Sequence, residues 1–146
     1  MSVPEQSCWY ARQMHMEEGS YGGDSVWRAH RERYGHPSVF GFKDLIPRWR
    51  AERFDPDELV REFRDSGARY VVAMAVRHDN FDNFESTHQP WNSVNMGPRR
   101  DIVGDWKTAI ERHGLRFGVS SHSDRAWQFL HPSHGSDHAG PLVGVP

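Results

Sequence analysis

The stretch Asp55-Pro-Asp-Glu-Leu-Val-Arg-Glu-Phe-Arg-Asp-Ser-Gly-Ala-Arg-Tyr-Val-Val-Ala-Met-Ala-Val76 decides how this chain folds. Its first half reads as a helix. Asp55 offers a side-chain oxygen at the N-cap, Pro56 takes the first helical position where its missing N–H is no loss, and Glu58 stands where it can close a capping box. Leu59, Val60 and Phe63 fall on one face, and Gly67 supplies the left-handed residue that ends the helix. From Arg69 to Val76 the chain is near-continuously apolar instead of alternating, the pattern of a parallel strand buried on both faces.

The same order recurs downstream. Ile102, Val103, Trp106 and Ile110 stand at helical spacing between Asp101 and His113, Gly114 stops that helix, and Leu115 to Val119 reads as the next strand. Helix–strand–helix–strand with a long loop after the first strand is the grammar of a parallel α/β fold. Upstream, the stretch from Gly19 to Gly41 is broken by Gly22-Gly23 and His36-Pro37, and the expectation there is irregular chain with one helical turn around Val26–Arg33. Phe42 to Trp49 reads as loop and short turn. Trp9, Tyr10 and Met14 call for burial, whereas beyond Ser120 the chain is polar and rich in His, Ser and Gly.

Composition narrows the function classes. The length of 146 residues suits one domain, and a hydrophobic share of 36% is enough for a core. A formal net charge of −2 leaves no electrostatic footprint for nucleic acid, and the apolar run Tyr70–Val76 is too short to span a membrane. The first residues show neither a basic nor an apolar leader region, so no signal peptide is expected. The single cysteine, Cys8, excludes an internal disulfide and a multi-thiolate zinc site. Six Trp and ten His suit a sugar site, where C–H faces pack on rings and hydroxyls meet short polar groups; the plainer reading, which composition alone favours, is that the Trp residues fill the core.

In parallel α/β proteins, ligand-handling residues gather beyond the carboxyl ends of the strands. That places Arg77, His78 and Asp79 after the first strand and His122 after the second. An imidazole beside a carboxylate can donate and accept hydrogen bonds to vicinal hydroxyls or act as acid or base. The plainer reading is that Asp79 caps its loop and His78 is a satisfied polar residue. His131, His134 and His138 have the spacing of a helical zinc face, but Pro132, Gly135 and Gly140 oppose a helix there, so no metal and no cofactor is expected. No glycine-rich phosphate loop and no nucleophile elbow occurs.

Taken together, these segments resemble the family 29 glycoside hydrolases, the α-L-fucosidases. Ser7-Cys8-Trp9-Tyr10 is similar to that family's Glu-Trp-Tyr motif, and Phe42 to Leu59 to its segment ending in Phe-Asp-Pro-Asp-Glu-Trp. Ser66-Gly-Ala-Arg-Tyr-Val-Val with Arg77-His78-Asp79-x-Phe81 is similar to Gly-Ala-Lys-Tyr-x-Val with His-His-Asp-Gly-Phe. Arg100-Asp101-Ile-Val-Gly104 and Gly114-Leu-Arg-Phe-Gly118 complete an ordered set from about Ser2 to Gly118.

The resemblance implies a retaining hydrolase of α-L-fucosides or fucosylated glycans built on a (β/α)8 barrel, with residues 1–146 as its N-terminal portion. A complete barrel takes about 250 residues, so this chain is expected to be a partial barrel, parallel strands with outer helices, whose open sheet favours aggregation or partner capture. The resemblance nominates Trp9 and His78 for the sugar, with Asp79 supporting the loop, and puts nucleophile and acid/base outside this chain. Relatives are often secreted, periplasmic or lysosomal. Cys8 in place of Glu and Arg77 in place of His are departures from the pattern. They keep open a non-catalytic sugar-binding remnant, beside a remoter metal-dependent enzyme using the C-terminal histidines.

Overall fold

The computed structural model describes residues 9–16 and 24–124. Two compact units divide the chain, residues 1–46 with 125–146 and residues 47–124.

In the first unit, α1 (Tyr10–Gln13), α2 (Asp24–Tyr34) and α3 (Phe42–Leu45) are followed by a 3-10 turn that begins at Ile46. Tyr10, Met14, Val26 and Leu45 form the core, with Tyr34, Phe40 and Phe42 packed against it. The single helical turn expected around Val26–Arg33 is a full helix of 11 residues. The reason is His30, which is wholly buried. Val26, His30 and Tyr34 stand at i, i+4 and i+8 on the packed face, and reading the middle position as polar hides the stripe.

His30 is buried because both its ring nitrogens have partners. Its Nε2 lies 2.8 Å from the Phe40 carbonyl oxygen, which only accepts, so Nε2 carries the proton. Nδ1 then accepts from the Tyr10 hydroxyl at 2.7 Å. Burial pushes the His30 pKa below its usual value and raises that of Tyr10 to about 12.

In the second unit, α4 (Pro56–Asp65), β1 (Tyr70–Val76), α5 (Ile102–Arg112) and β2 (Arg116–Ser121) follow the expected order. The Asp55 carboxylate accepts from the Glu58 N–H at 3.1 Å, so the N-cap forms, which is half of the expected capping box. The Glu58 side chain lies 3.6 Å from Arg61. Gly67 (φ 97°) and Gly114 (φ 72°) end their helices in the left-handed region. β1 and β2 are parallel, paired from Tyr70↔Arg116 to Met74↔Ser120, with an irregularity before Val76↔Ser121. β2 thus runs through Ser121, two residues beyond the expected end, and Ser120 Oγ donates to the Ala73 carbonyl at 3.4 Å.

Val60, Ala109 and Ile110 make the core of this unit, with Val71, Trp106, Leu115 and Phe117 packed on it. β1 is not buried on both faces. Ala73 is 4% exposed, whereas Tyr70, Val72 and Met74 of the opposite face are 68%, 52% and 37% exposed. The residues packed on the core include Val71 and Phe117 of one sheet face, and among the described residues 47–124 no comparable core covers the other. Continuous apolarity marks a strand able to bury both faces; whether both are covered depends on the surrounding elements.

The segment Arg100-Asp101-Ile-Val-Gly104 holds the start of α5. Asp101 Oδ1 accepts from the Gly104 N–H at 2.8 Å. Arg100 Nε donates to Asp105 Oδ2 at 2.7 Å while its guanidinium lies over the Phe54 ring, 5.2 Å from the centroid. A Cβ on Gly104 would come within 2.6 Å of Asp101 Oδ2. Gly104→Ala should therefore forfeit its helix-propensity gain of about 1 kcal/mol, because the cap it displaces is worth about the same. Urea melts should show Gly104→Ala within ~0.5 kcal/mol of wild type and Asp101→Ala down by ~1 kcal/mol. A full propensity gain in Gly104→Ala would contradict this account.

Candidate sugar-binding rim

The loop after β1 is shaped by short-range bonds. The Asn80 N–H donates to the Arg77 carbonyl at 3.0 Å, and Asn80 adopts φ 56°, a left-handed conformation that Asn tolerates. Asp79 Oδ1 accepts from the Phe81 N–H at 3.3 Å, the loop-capping role foreseen as its plainer reading. Phe81 is buried and meets Trp49 edge-on at 6.1 Å. This turn carries His78, only 7% exposed, with Arg77 and Asp79 half-buried on either side.

Farther along, Asn92 organises the long connection to α5. It is buried, and its amide donates to the Ser86 and Gln89 carbonyls at 3.3 and 3.0 Å. Its Oδ1 accepts from the N–H groups of Val94 and Asn95 at 3.1 and 2.9 Å, so its hydrogen-bonding capacity is filled. Asp82 and Ser93, both buried, tie this loop to itself, the Ser93 N–H donating to the Asp82 carbonyl at 2.8 Å. None of these three is a candidate site residue in the sequence reading, because their partners are carbonyls and amides of an irregular loop with no periodic signature.

β2 delivers the second imidazole. The His122 N–H donates to the Val76 carbonyl at 2.9 Å, extending the ladder one residue past Ser121. The rings of His78 and His122 lie 3.9 Å apart between centroids at 44°. Two expected site residues, separated by a helix and a long loop, are thus adjacent at the carboxyl ends of neighbouring parallel strands. Asp124, not singled out in the sequence, joins them, with one donor atom of each residue within 4.8 Å of the others. The pointer to it would have been its place two residues after His122, once β2 was known to lie beside β1.

Such a pair of imidazoles can donate to and accept from hydroxyls, and the carboxylate accepts. Trp9 belongs to the first unit, where it precedes α1 and is 45% exposed. Cys8, His131, His134 and His138 lie outside the described residues. Among the described residues, no helix is long and apolar enough to cross a membrane.

The family model described as Alpha-L-fucosidase matches residues 1–139. The tissue α-L-fucosidase of Bos taurus is 37% identical over 103 residues, covering 70% of this chain and 21% of that protein. The Homo sapiens tissue enzyme is 37% identical over 101 residues, covering 68% and 21%. Among solved structures, an α-L-fucosynthase of Thermotoga maritima in complex with α-L-Fuc-(1-2)-β-L-Fuc-N3 is similar with a TM-score of 0.75 at 28% identity, covering 92% of this chain and 28% of that one. The Thermotoga maritima α-fucosidase in complex with fucose gives 0.74 at 30% identity, covering 88% and 28%. The chain spans about a fifth of the length of the curated relatives it matches. By the extent of the family match and the agreement of the ordered segments, this chain belongs to the α-L-fucosidase family.

Proposed function

We propose that residues 1–146 form the N-terminal portion of a (β/α)8 catalytic barrel, and that in the whole protein this portion holds the sugar of an α-L-fucoside or fucosylated glycan during hydrolysis with retention. The observation that carries this reading is the adjacency of His78 and His122 at the ends of parallel strands, where barrel enzymes gather their ligand-handling groups.

Retention uses two carboxyl groups about 5–5.5 Å apart, one forming the glycosyl-enzyme and the other protonating the leaving oxygen and later activating water. This reading assigns neither to the present chain. Its share is binding. The imidazoles of His78 and His122 meet sugar hydroxyls, Arg77 supplies donors only, and Asp79 keeps the loop in shape; for Trp9, in the other unit, an apolar sugar-packing face is what the family resemblance implies. Cys8 and Arg77 favour a second reading, a sugar-binding remnant without chemistry. L-Fucose bound by the whole protein with no turnover would select it.

Calorimetric titration of L-fucose tests the rim. His78→Ala should weaken binding about tenfold, the ~1.4 kcal/mol of one hydrogen bond, with the far-ultraviolet circular dichroism retained. Equal affinity in wild type and variant would reject His78 as a sugar ligand. The 146-residue chain alone should release no aryl alcohol from aryl α-L-fucosides above an unrelated protein.

A further inference from the structure

His78, His122 and Asp124 bring two imidazole nitrogens and a carboxylate oxygen within 4.8 Å of one another. We propose that these three residues bind one divalent transition-metal ion of the zinc class. The donor set argues for that class. Imidazole nitrogen with a single carboxylate suits Zn2+, Co2+ or Ni2+, whereas Mg2+ and Ca2+ take oxygen-only shells.

Two of the three ligands come from backbone that is already in place. His78 sits on the turn fixed by Asp79 and Asn80, and the His122 N–H is bonded to Val76 of the neighbouring strand. Ser121 Oγ and Ser123 Oγ, 3.0 Å apart, bond to each other across His122, in the segment that leads to Asp124. Little chain entropy is therefore left to lose on capture.

The burial pattern suits an open site. His78 is 7% exposed, while His122 and Asp124 face solvent. One ligand is anchored in the protein wall, the other two leave an approach path, and three protein donors leave at least one position for water. Donors on a tetrahedral zinc at about 2.0–2.1 Å stand roughly 3.3 Å apart. Binding thus draws the group inward by rotation of the exposed His122 and Asp124 side chains. The ion and a sugar hydroxyl would draw on the same His78 ring, so the metal is tested without sugar. A negative result there leaves the sugar reading untouched.

The test is calorimetric titration of Zn2+ into the metal-free 146-residue chain, repeated with three variants: His122→Ala, Asp124→Asn, and the triple His131→Ala/His134→Ala/His138→Ala. One ion per chain is expected, weakened at least tenfold by His122→Ala and by Asp124→Asn and unchanged in the triple variant. His122 and Asp124 lie outside the core, so both single variants should keep the wild-type circular dichroism and remain interpretable. Co2+ supplies a second readout, its visible absorption reporting nitrogen and oxygen ligation that His122→Ala abolishes. No heat up to about 1 mM Zn2+ would overturn the proposal. So would unweakened binding in His122→Ala, or any loss in the triple variant.

Discussion

Ile110→Ala is expected to destabilise the unit of residues 47–124 by about 3 kcal/mol, within the range for truncating a fully buried isoleucine. Ile110 has no exposed surface and packs with Val60 and Ala109 where the residues of α4 and α5 meet Val71 and Phe117 of the sheet. Removing three carbons there takes apolar contacts from helix and strand at once, and rigid neighbours fill the void only partly. In a unit of this size the loss should lower the melting temperature by about 15 °C. Val119→Ala is the control. Its side chain is 55% exposed and lies outside the buried core, and its replacement should change stability by no more than ~0.5 kcal/mol. Equal losses in the two variants would show that Ile110 is not the centre of this core.

His30 carries the second large effect. His30→Leu fits an apolar side chain into the same space but leaves the Tyr10 hydroxyl and the Phe40 carbonyl unpaired. Each orphaned group costs about 1–3 kcal/mol, more than the ~1–2 kcal/mol returned by burying leucine, so a net loss of about 2 kcal/mol is expected at pH 7. The wild-type residue also sets a pH dependence. Burial lowers the folded His30 pKa from 6.5, so the unfolded chain takes up the proton first as pH falls. Its contribution to stability is complete above pH 6.5 and is lost as pH drops from there through the folded value. Tyr10 works at the other end. Its pKa is raised from 10.0 to about 12 by burial, so its contribution is complete below pH 10 and is lost as pH rises toward 12. Urea midpoints between pH 5 and 7 should fall with acid in wild type and flatten in His30→Leu. Tyr10→Phe should flatten the alkaline limb. A wild-type stability that stays constant from pH 7 to 5 would contradict the buried neutral imidazole.

Where the signals are local, the sequence and the structure agree. Asp55, Pro56 and Gly67 bound α4, and Asp101 and Gly114 bound α5, because caps and left-handed terminators act within a few residues of chain. The apolar runs and the spacing between them sufficed for two parallel strands linked through a helix, and the ordered segments sufficed for the family. α2 reads as a single turn in the sequence because its middle anchor is a histidine. An imidazole becomes a core residue only when groups distant in sequence, here the Tyr10 hydroxyl and the Phe40 carbonyl, satisfy both nitrogens.

The β1 run likewise states an ability to be buried, while exposure of Tyr70, Val72 and Met74 depends on which face α5 and α4 cover. Their place after the strands marks the residues of the rim, but their meeting is not readable from the sequence. It follows from register. Val76 pairs with Ser121, so the residues just past each, His78 and His122, fall side by side with Asp124 close by. The chain by itself determines α4, α5, the two strands and its family, because those rest on contacts within a few residues or on ordered motifs. Which side chains share a site was decided only by tertiary structure, because strand register is set by packing between segments more than 40 residues apart.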